Sequence, residues 1–237
     1  MKWTDWQPLY KQIVSKLSLN PDHDRKATQI LSSILEGQNS QPFLEKLRML
    51  IKDRIVIVCG AGPSLQSHLK RIEKQERLAG ATFIAADGAT SALLNMGVQA
   101  NIIATDLDGN LDDIAEMTER GAVSIVHAHG DNIRVVEEIV PILKTVIGST
   151  QVEPLPNVFL WGGFTDGDRA CYLAAHYEPA KLILAGMDFG SVVGKWSKPD
   201  YIDHIRATER KRKKLEIAQT LLDHLWRITD LEYEMME

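Results

Sequence analysis

Ile55-Val56-Ile57-Val58-Cys59-Gly60-Ala61-Gly62-Pro63-Ser64 is an unbroken apolar run of strand length that stops at two glycines, a proline and a serine. A run without polar alternation marks a strand covered on both faces. Gly60 and Gly62 permit a tight turn and close approach of a ligand, and Ser64 stands where it can cap a helix or donate to a phosphate at the helix's positive end. A dinucleotide fingerprint would place a third glycine where this chain has Leu65, so the loop also reads as a plain strand-to-helix connection.

Outward from this stretch the pattern repeats. Thr82–Ala86 runs into Asp87-Gly88-Ala89, Ile102–Thr105 into Asp106-Leu107-Asp108-Gly109, and Val123–Val126 into His127-Ala128-His129-Gly130-Asp131-Asn132. Val158–Trp161 ends at Gly162-Gly163, and Lys181–Ala185 at Gly186-Met187-Asp188-Phe189-Gly190. Amphipathic stretches starting near Ser64, Thr90, Leu111, Asn132 and Asp166 fall between the runs as helices. Strand and helix in alternation give right-handed crossovers, so the fold class is α/β, a doubly wound, mostly parallel, Rossmann-like sheet. Parallel strands share one carboxyl edge, and the acids, histidines and glycines at the strand exits are expected to converge there.

Residues 1–50 read as an N-terminal helical extension, 51–200 as the catalytic core, and 201–237 as a C-terminal helix packed on that core. In the extension, Trp6, Tyr10, Ile13, Val14 and Leu17 keep helical spacing, and Asn20-Pro21-Asp22 breaks the chain before a second helix that Gly37 closes. Ser40 is expected to cap a third helix, with Leu47 and Ile51 on its buried stripe. The last long helix should run from about Asp203 to Leu231, and Gly190–Pro199 is the expected mobile loop.

A chain of 237 residues that is 44% hydrophobic can bury one full core. Its net charge of −5 offers no general attraction to nucleic acid. Two cysteines, Cys59 and Cys171, are too few for a disulfide framework and lack metal-ligand spacing, which fits a reducing compartment. The polar start Met1–Trp6 does not read as a signal peptide, and no apolar run approaches the roughly 18 residues of a membrane span. The expectation is a cytoplasmic protein that binds neither membrane nor nucleic acid, whose added helices offer surfaces for a homodimer.

Asp106 and Asp108, one residue apart at a strand exit, can both reach a hard cation such as magnesium, and Asp87 ends the neighbouring run. The plain alternative is that Asp87 and Asp108-Gly109 only cap the helices that follow. His127 and His129 have the period-two spacing that turns both the same way, and Gly130 brings Asp131 to the same mouth. No third nitrogen or sulfur ligand lies near enough for a zinc site. Arg169, after Gly162-Gly163-Phe164-Thr165-Asp166-Gly167-Asp168, can hold a substrate, whereas Asp166 and Asp168 serve equally as caps. Asp188 can accept from a nitrogen-rich ring or close a turn. Arg210-Lys211-Arg212-Lys213-Lys214 is the densest cationic run. It is either a solvated face or, through Lys195, Lys198, Arg210 and Lys214, part of a phosphate clamp.

Taken in order, these motifs resemble the archaeal 6-hydroxymethyl-7,8-dihydropterin pyrophosphokinases, the MptE-like proteins. The resemblance covers most of the chain after residue 50, and the Asp-Gly and Asp-x-Asp elements are also similar to those of thiamine pyrophosphokinases. It implies transfer of diphosphate from ATP to the hydroxymethyl group of a reduced pterin with release of AMP, in tetrahydromethanopterin or folate-type cofactor synthesis. It further implies that Asp106 and Asp108 hold magnesium with help from Asp87, beside Gly88. Gly60, Gly62 and Ser64 would approach a phosphate or the substrate. His129 and Asp131 would contact metal-bound phosphate or help deprotonate the hydroxyl, and Asp188 would accept from the pterin. Three other readings stay open. A nicotinamide-dependent oxidoreductase would set Gly60-Ala61-Gly62 on a pyrophosphate and Asp87 on a ribose, a glycosyltransferase would hold a metal-bound nucleotide-sugar, and a scaffold would bind a nucleotide without chemistry.

Overall fold

The computed structural model describes residues 1–237, the side chain of Arg77 excepted. Three helices, α1 (Trp3–Leu17), α2 (Pro21–Ile34) and α3 (Gln41–Ile51), lead into strand β1 (Ile55–Cys59). Strand and helix then alternate through α4 (Leu65–Glu73), β2 (Thr82–Ala86), α5 (Ala89–Asn95), β3 (Ile102–Thr105), α6 (Leu111–Glu119), β4 (Val123–His127) and α7 (Ile133–Ile139). The chain continues with β5 (Val146–Ser149), β6 (Val158–Phe159), α8 (Asp166–His176), β7 (Lys181–Ala185), a two-stranded hairpin β8 (Val192–Val193) and β9 (Ile205–Arg206), α9 (Glu209–Ile228) and β10 (Tyr233–Met235).

Eight strands form one sheet in the order β10-β7-β1-β2-β3-β4-β5-β6, every neighbouring pair parallel. The chain steps outward from β1 to β6 and then returns to the other side of β1, so the strand order reverses between β1 and β7. Ligand crevices open at the carboxyl ends of such a reversal.

Successive side chains of a strand point to opposite faces, and the core divides accordingly. Val56 and Val58 pack with Ile84, Ile102 and Ile125 beneath α1, α3, α8 and α9, whereas Ile57 and Cys59 pack with Ala85, Ile103 and Ile183 beneath α4, α5 and α6. A third cluster joins α2 and α7 to Val126, Val146 and Val158. Trp6, Tyr10, Ile13, Leu17, Leu47 and Ile51 belong to the first cluster, and Trp6 Nε1 donates to the Gln151 carbonyl at 2.9 Å. The first fifty residues therefore share one core with the sheet, although their sequence reads as set apart.

Other local readings differ. Ser40 donates its hydroxyl to Asn157 Oδ1 at 2.8 Å and does not cap α3. The last helix starts at Glu209, where Thr208 Oγ1 accepts from the Lys211 N–H at 3.2 Å, and it ends at Ile228. The segment expected as a loop, Gly190–Pro199, carries β8 and a short 3-10 turn, Lys195–Ser197. Glycines seat it on the core. A Cβ on Gly88 would overlap the Trp196 carbonyl, and one on Gly194 the Ala61 carbonyl. Among the described residues no helix is long and apolar enough to cross a membrane.

Candidate metal and phosphate site

Asp87 closes β2 in the left-handed region (φ 42°), with its N–H on the Ala104 carbonyl at 2.8 Å and its own carbonyl accepting from Thr90 N–H at 2.9 Å. This turn aims the carboxylate across the sheet edge, where Thr105 Oγ1 donates to it. Asp106 and Asp108 follow β3 and flank Leu107, a left-handed residue (φ 65°) whose N–H donates to Thr105 Oγ1 at 2.8 Å. Gly109 leaves space for the third acid, since a Cβ there would lie 2.6 Å from Asp87 Oδ2. As a result Asp87, Asp106 and Asp108 each bring one oxygen within 4.8 Å of the others.

Asp166 faces these acids from the first turn of α8. Asp106 Oδ1 and Asp166 Oδ1 are buried without a hydrogen-bond partner among the described residues, a costly state for a carboxylate oxygen. The Asp87 carboxyl is pushed well above its usual range, first by burial and then by the charges of Asp166, Asp106 and Asp108. Burial followed by the Asp106 charge does the same to Asp166. Burial also works against Asp106, but the hydrogen bond and charge of His129, with Arg169 and Lys198, outweigh it and hold that carboxyl at about 2. Clustered carboxylates of this kind share protons or a cation. The all-oxygen donor set of Asp87, Asp106 and Asp108, with Asp106 Oδ1 buried and without a hydrogen bond, fits a hard divalent ion, magnesium among them.

Cations rim the acids. Lys198, carried by the hairpin, pairs with Asp108. His129 Nε2 lies 3.3 Å from Asp106 Oδ2. Arg169 places Nη1 3.6 Å from Asp166 Oδ1 and donates through Nη2 to Gln151 Oε1 at 2.9 Å. Lys211 and Lys214 complete the wall from α9. His127 stacks on His129 with ring centroids 6.0 Å apart, but it is fully buried against Ser149 Oγ (3.3 Å), and burial pushes its pKa well down. It is a neutral packing residue.

The glycine loop takes a different part from the one its sequence offers. Ser64 donates to Asp188 Oδ2 through its N–H (3.1 Å) and hydroxyl (2.7 Å), so an internal carboxylate sits at the N-terminus of α4. Ser64 makes no side-chain cap. A Cβ on Gly60 would lie 2.6 Å from the Gly186 carbonyl, and one on Gly62 would overlap Asp188. These glycines admit the loop after β7, and together with Gly88, Met187 and Asp188 they line the cleft in front of the acids.

Several sequence-expected residues lie apart from the acid cluster. Lys195 places Nζ 5.0 Å from the centroid of the Trp196 ring and does not line the cleft. Asp131 is exposed, its N–H on His129 Nδ1 at 3.3 Å, and with Arg210 it lines a neighbouring cleft. Asp168 is a cap, accepting from the N–H groups of Phe164 (2.6 Å) and Thr165 (2.7 Å). Asp166 and Lys211 are the members that sequence reading did not single out. Lys211 and Lys214, three apart on one helical face, were open to inference, whereas Asp166 has the sequence of a cap.

The family model for 6-hydroxymethylpterin diphosphokinase MptE-like proteins matches residues 28–194. Three curated archaeal proteins named 6-hydroxymethyl-7,8-dihydropterin pyrophosphokinase are similar over nearly the whole chain. The protein from Pyrococcus furiosus is 44% identical over 225 residues, 95% of this chain and 94% of its own. That from Methanocaldococcus jannaschii is 40% identical over 240 residues, 98% and 99% of the two chains. That from Methanothermobacter thermautotrophicus is 42% identical over 239 residues, 98% and 97%. Among solved structures, a MAf glycosyltransferase from Magnetospirillum magneticum aligns with TM-score 0.48 and 14% identity over 81% of this chain and 37% of that one.

Proposed function

The chain belongs to the MptE-like family of 6-hydroxymethylpterin diphosphokinases, and we propose that it transfers diphosphate from ATP to 6-hydroxymethyl-7,8-dihydropterin and releases AMP. The observation that carries this reading is the meeting of Asp87, Asp106 and Asp108 within 4.8 Å at the sheet edge, rimmed by Lys198, Arg169 and Lys214. In the reaction the pterin hydroxyl oxygen bonds to the β-phosphorus. The bond from that phosphorus to the α,β-bridging oxygen breaks, the bridging oxygen leaves on AMP with the electron pair, and the hydroxyl proton passes to a base or to water.

Asp87, Asp106 and Asp108 would hold magnesium, which when bound supplies positive charge to the phosphate oxygens. The chain's own work is positioning and charge neutralisation. Arg169, Lys198, Lys211 and Lys214 offset the phosphate charge as it shifts toward the leaving oxygen. His129, paired with Asp106 through Nε2, keeps that carboxylate ionised. Asp188, fixed by two donors from Ser64, presents an acceptor edge to the ring N–H and amino donors of the pterin. The product belongs to tetrahydromethanopterin or folate-type cofactor synthesis.

A nicotinamide enzyme would need the N-terminus of α4 for a pyrophosphate and Asp87 for a ribose. Asp188 holds the first and the acid cluster holds the second. The test is replacement of Asp106 and of Asp108 by asparagine, followed by AMP release from ATP and the dihydropterin. Both variants should lose turnover while keeping the circular dichroism of the fold, and near-normal rates at saturating magnesium in both would remove these acids from the role.

A further inference from the structure

A second cleft opens on the far side of Asp106 from the Gly60–Gly62 loop. Its walls are the α1–α2 turn with Asn20 and His23, the loop after β4 with His129, and the start of α9 with Arg210 and Lys214. Asp106, Phe164, Arg169 and Lys214 line both clefts. We propose that this second cleft is the subsite for the two terminal phosphates of the nucleotide, the diphosphate that is transferred. The proposal rests on the diphosphokinase reading above and adds where the moving group lies and why the N-terminal helices are part of the enzyme.

Charge without a counter-ion is the first argument. Among the described residues neither Arg210 nor Lys214 has a carboxylate within ion-pair distance, although the exposed lysine beside them, Lys213, pairs with Glu209 at 2.8 Å. Lys214 is half-buried next to Phe164, its Nζ 6.0 Å from the ring centroid, and the Arg169 guanidinium lies 5.9 Å from the same centroid. Lys214, partly desolvated and without an ion pair, is prepared for an anion, and the exposed Arg210 adds a free charge at the rim.

The acids of the cleft do not cancel them. Asp24 is saturated, accepting from Tyr10 Oη (2.6 Å), Gln151 Nε2 (2.8 Å) and the Gly130 N–H (2.9 Å). It acts as a fastener, tying α2 to the His129 loop and, through Gln151, to Arg169. Asp106 faces the metal acids, and Asp131 is exposed at the rim. Gly130 is a glycine because α2 presses on it, a Cβ there lying 2.5 Å from His23 Cβ, and this contact sets His23 at the mouth.

The remaining argument is exclusion. The N-terminus of α4, the other place a phosphate would go, already holds the Asp188 carboxylate. The second cleft shares Arg169 and Lys214 with the first and adds Arg210, His23 and His129 beyond Asp106.

The experiment uses the intact enzyme with magnesium and two probes, α,β-methylene-ATP, which cannot be cleaved at the reacting bond, and AMP, which lacks both terminal phosphates. His23 and Arg210 are exposed, so His23→Ala and Arg210→Ala should fold normally. Calorimetric titration is expected to show each variant binding the ATP analogue about tenfold more weakly or worse. AMP affinity and the KM for the dihydropterin should stay within about twofold of wild type. Equal weakening of AMP would place the nucleoside in the cleft and overturn the proposal, as would unchanged analogue affinity, with or without a raised pterin KM. Wild-type enzyme that neither binds the analogue nor releases AMP would overturn the diphosphokinase reading itself, a different failure from the variant results.

Discussion

Asp87 and Asp106 bring oxygens within 4.8 Å of each other, yet replacing each by asparagine should move the metal-free protein in opposite directions. Two unit charges at 4.8 Å repel by about 3 kcal/mol in an effective dielectric of about 20. Lys198 and Arg169 offset part of this. Asp87→Asn is therefore expected to stabilise the metal-free protein by about 1–2 kcal/mol, or about 3–6 °C in melting midpoint for a chain of this size. Asp106 falls from 3.8 to about 2 on folding, a difference of about 2 kcal/mol. Asp106→Asn should lower stability by up to about that amount. The pH dependence has opposite signs too. Asp87 is raised on folding, so its penalty is absent below its ordinary value of 3.8 and grows as the pH climbs above it. Asp106 is depressed, so its contribution is present above 3.8 and disappears as the pH falls through about 2. Thermal unfolding of the metal-free protein from about pH 2 to pH 8 reads both. Magnesium should raise the wild-type midpoint at neutral pH and do little for either variant. If Asp87→Asn melts at or below wild type in EDTA and still gains fully from magnesium, the reasoning is wrong.

Gly62→Ala should cost at least about 2 kcal/mol and most of the activity, because its Cβ would overlap Asp188, whereas Gly190→Ala, with nothing within 4 Å, should be neutral in urea unfolding and in rate. Asp24→Ala strands the donors of Tyr10, Gln151 and Gly130. It should lower stability by about 3 kcal/mol, a shift of about 1 M in the urea midpoint. Burial pushes the Cys59 thiol up to about 12, and burial followed by the Asp168 charge raises that of Cys171. Both should resist thiol reagents at about pH 8 until the protein is unfolded, and rapid labelling of native protein would contradict their burial.

Six strands were legible in the sequence, β1, β2, β3, β4, β6 and β7, because each lies in an apolar run that ends at a turn. β5 was not, since Gly148-Ser149 leaves only Val146-Ile147 as an apolar signal. β10 is a short edge strand with a charge at its centre, and Glu234 there pairs with Lys181 at 2.8 Å, a contact only the folded sheet creates. The metal acids were readable because strand exits share an edge. Asp166 and Asp168 were not separable, because a carboxylate in a first helical turn looks the same whether it caps, as Asp168 does, or turns toward other acids. Lys195 and Lys198 differ only by a short helical turn that sends one onto Trp196 and the other onto Asp108. The part played by the N-terminal helices rests on the bond between Gly130 N–H and Asp24, 106 positions apart, and no local pattern encodes such a pair.

ATP labelled at the β-phosphorus, incubated with the protein, magnesium and 6-hydroxymethyl-7,8-dihydropterin, gives the most direct answer. Label on the pterin, with unlabelled AMP in equal amount and neither product formed by Asp108→Asn, is the expected outcome. Labelled ADP, or label that never reaches the pterin, would contradict diphosphate transfer at this acid cluster.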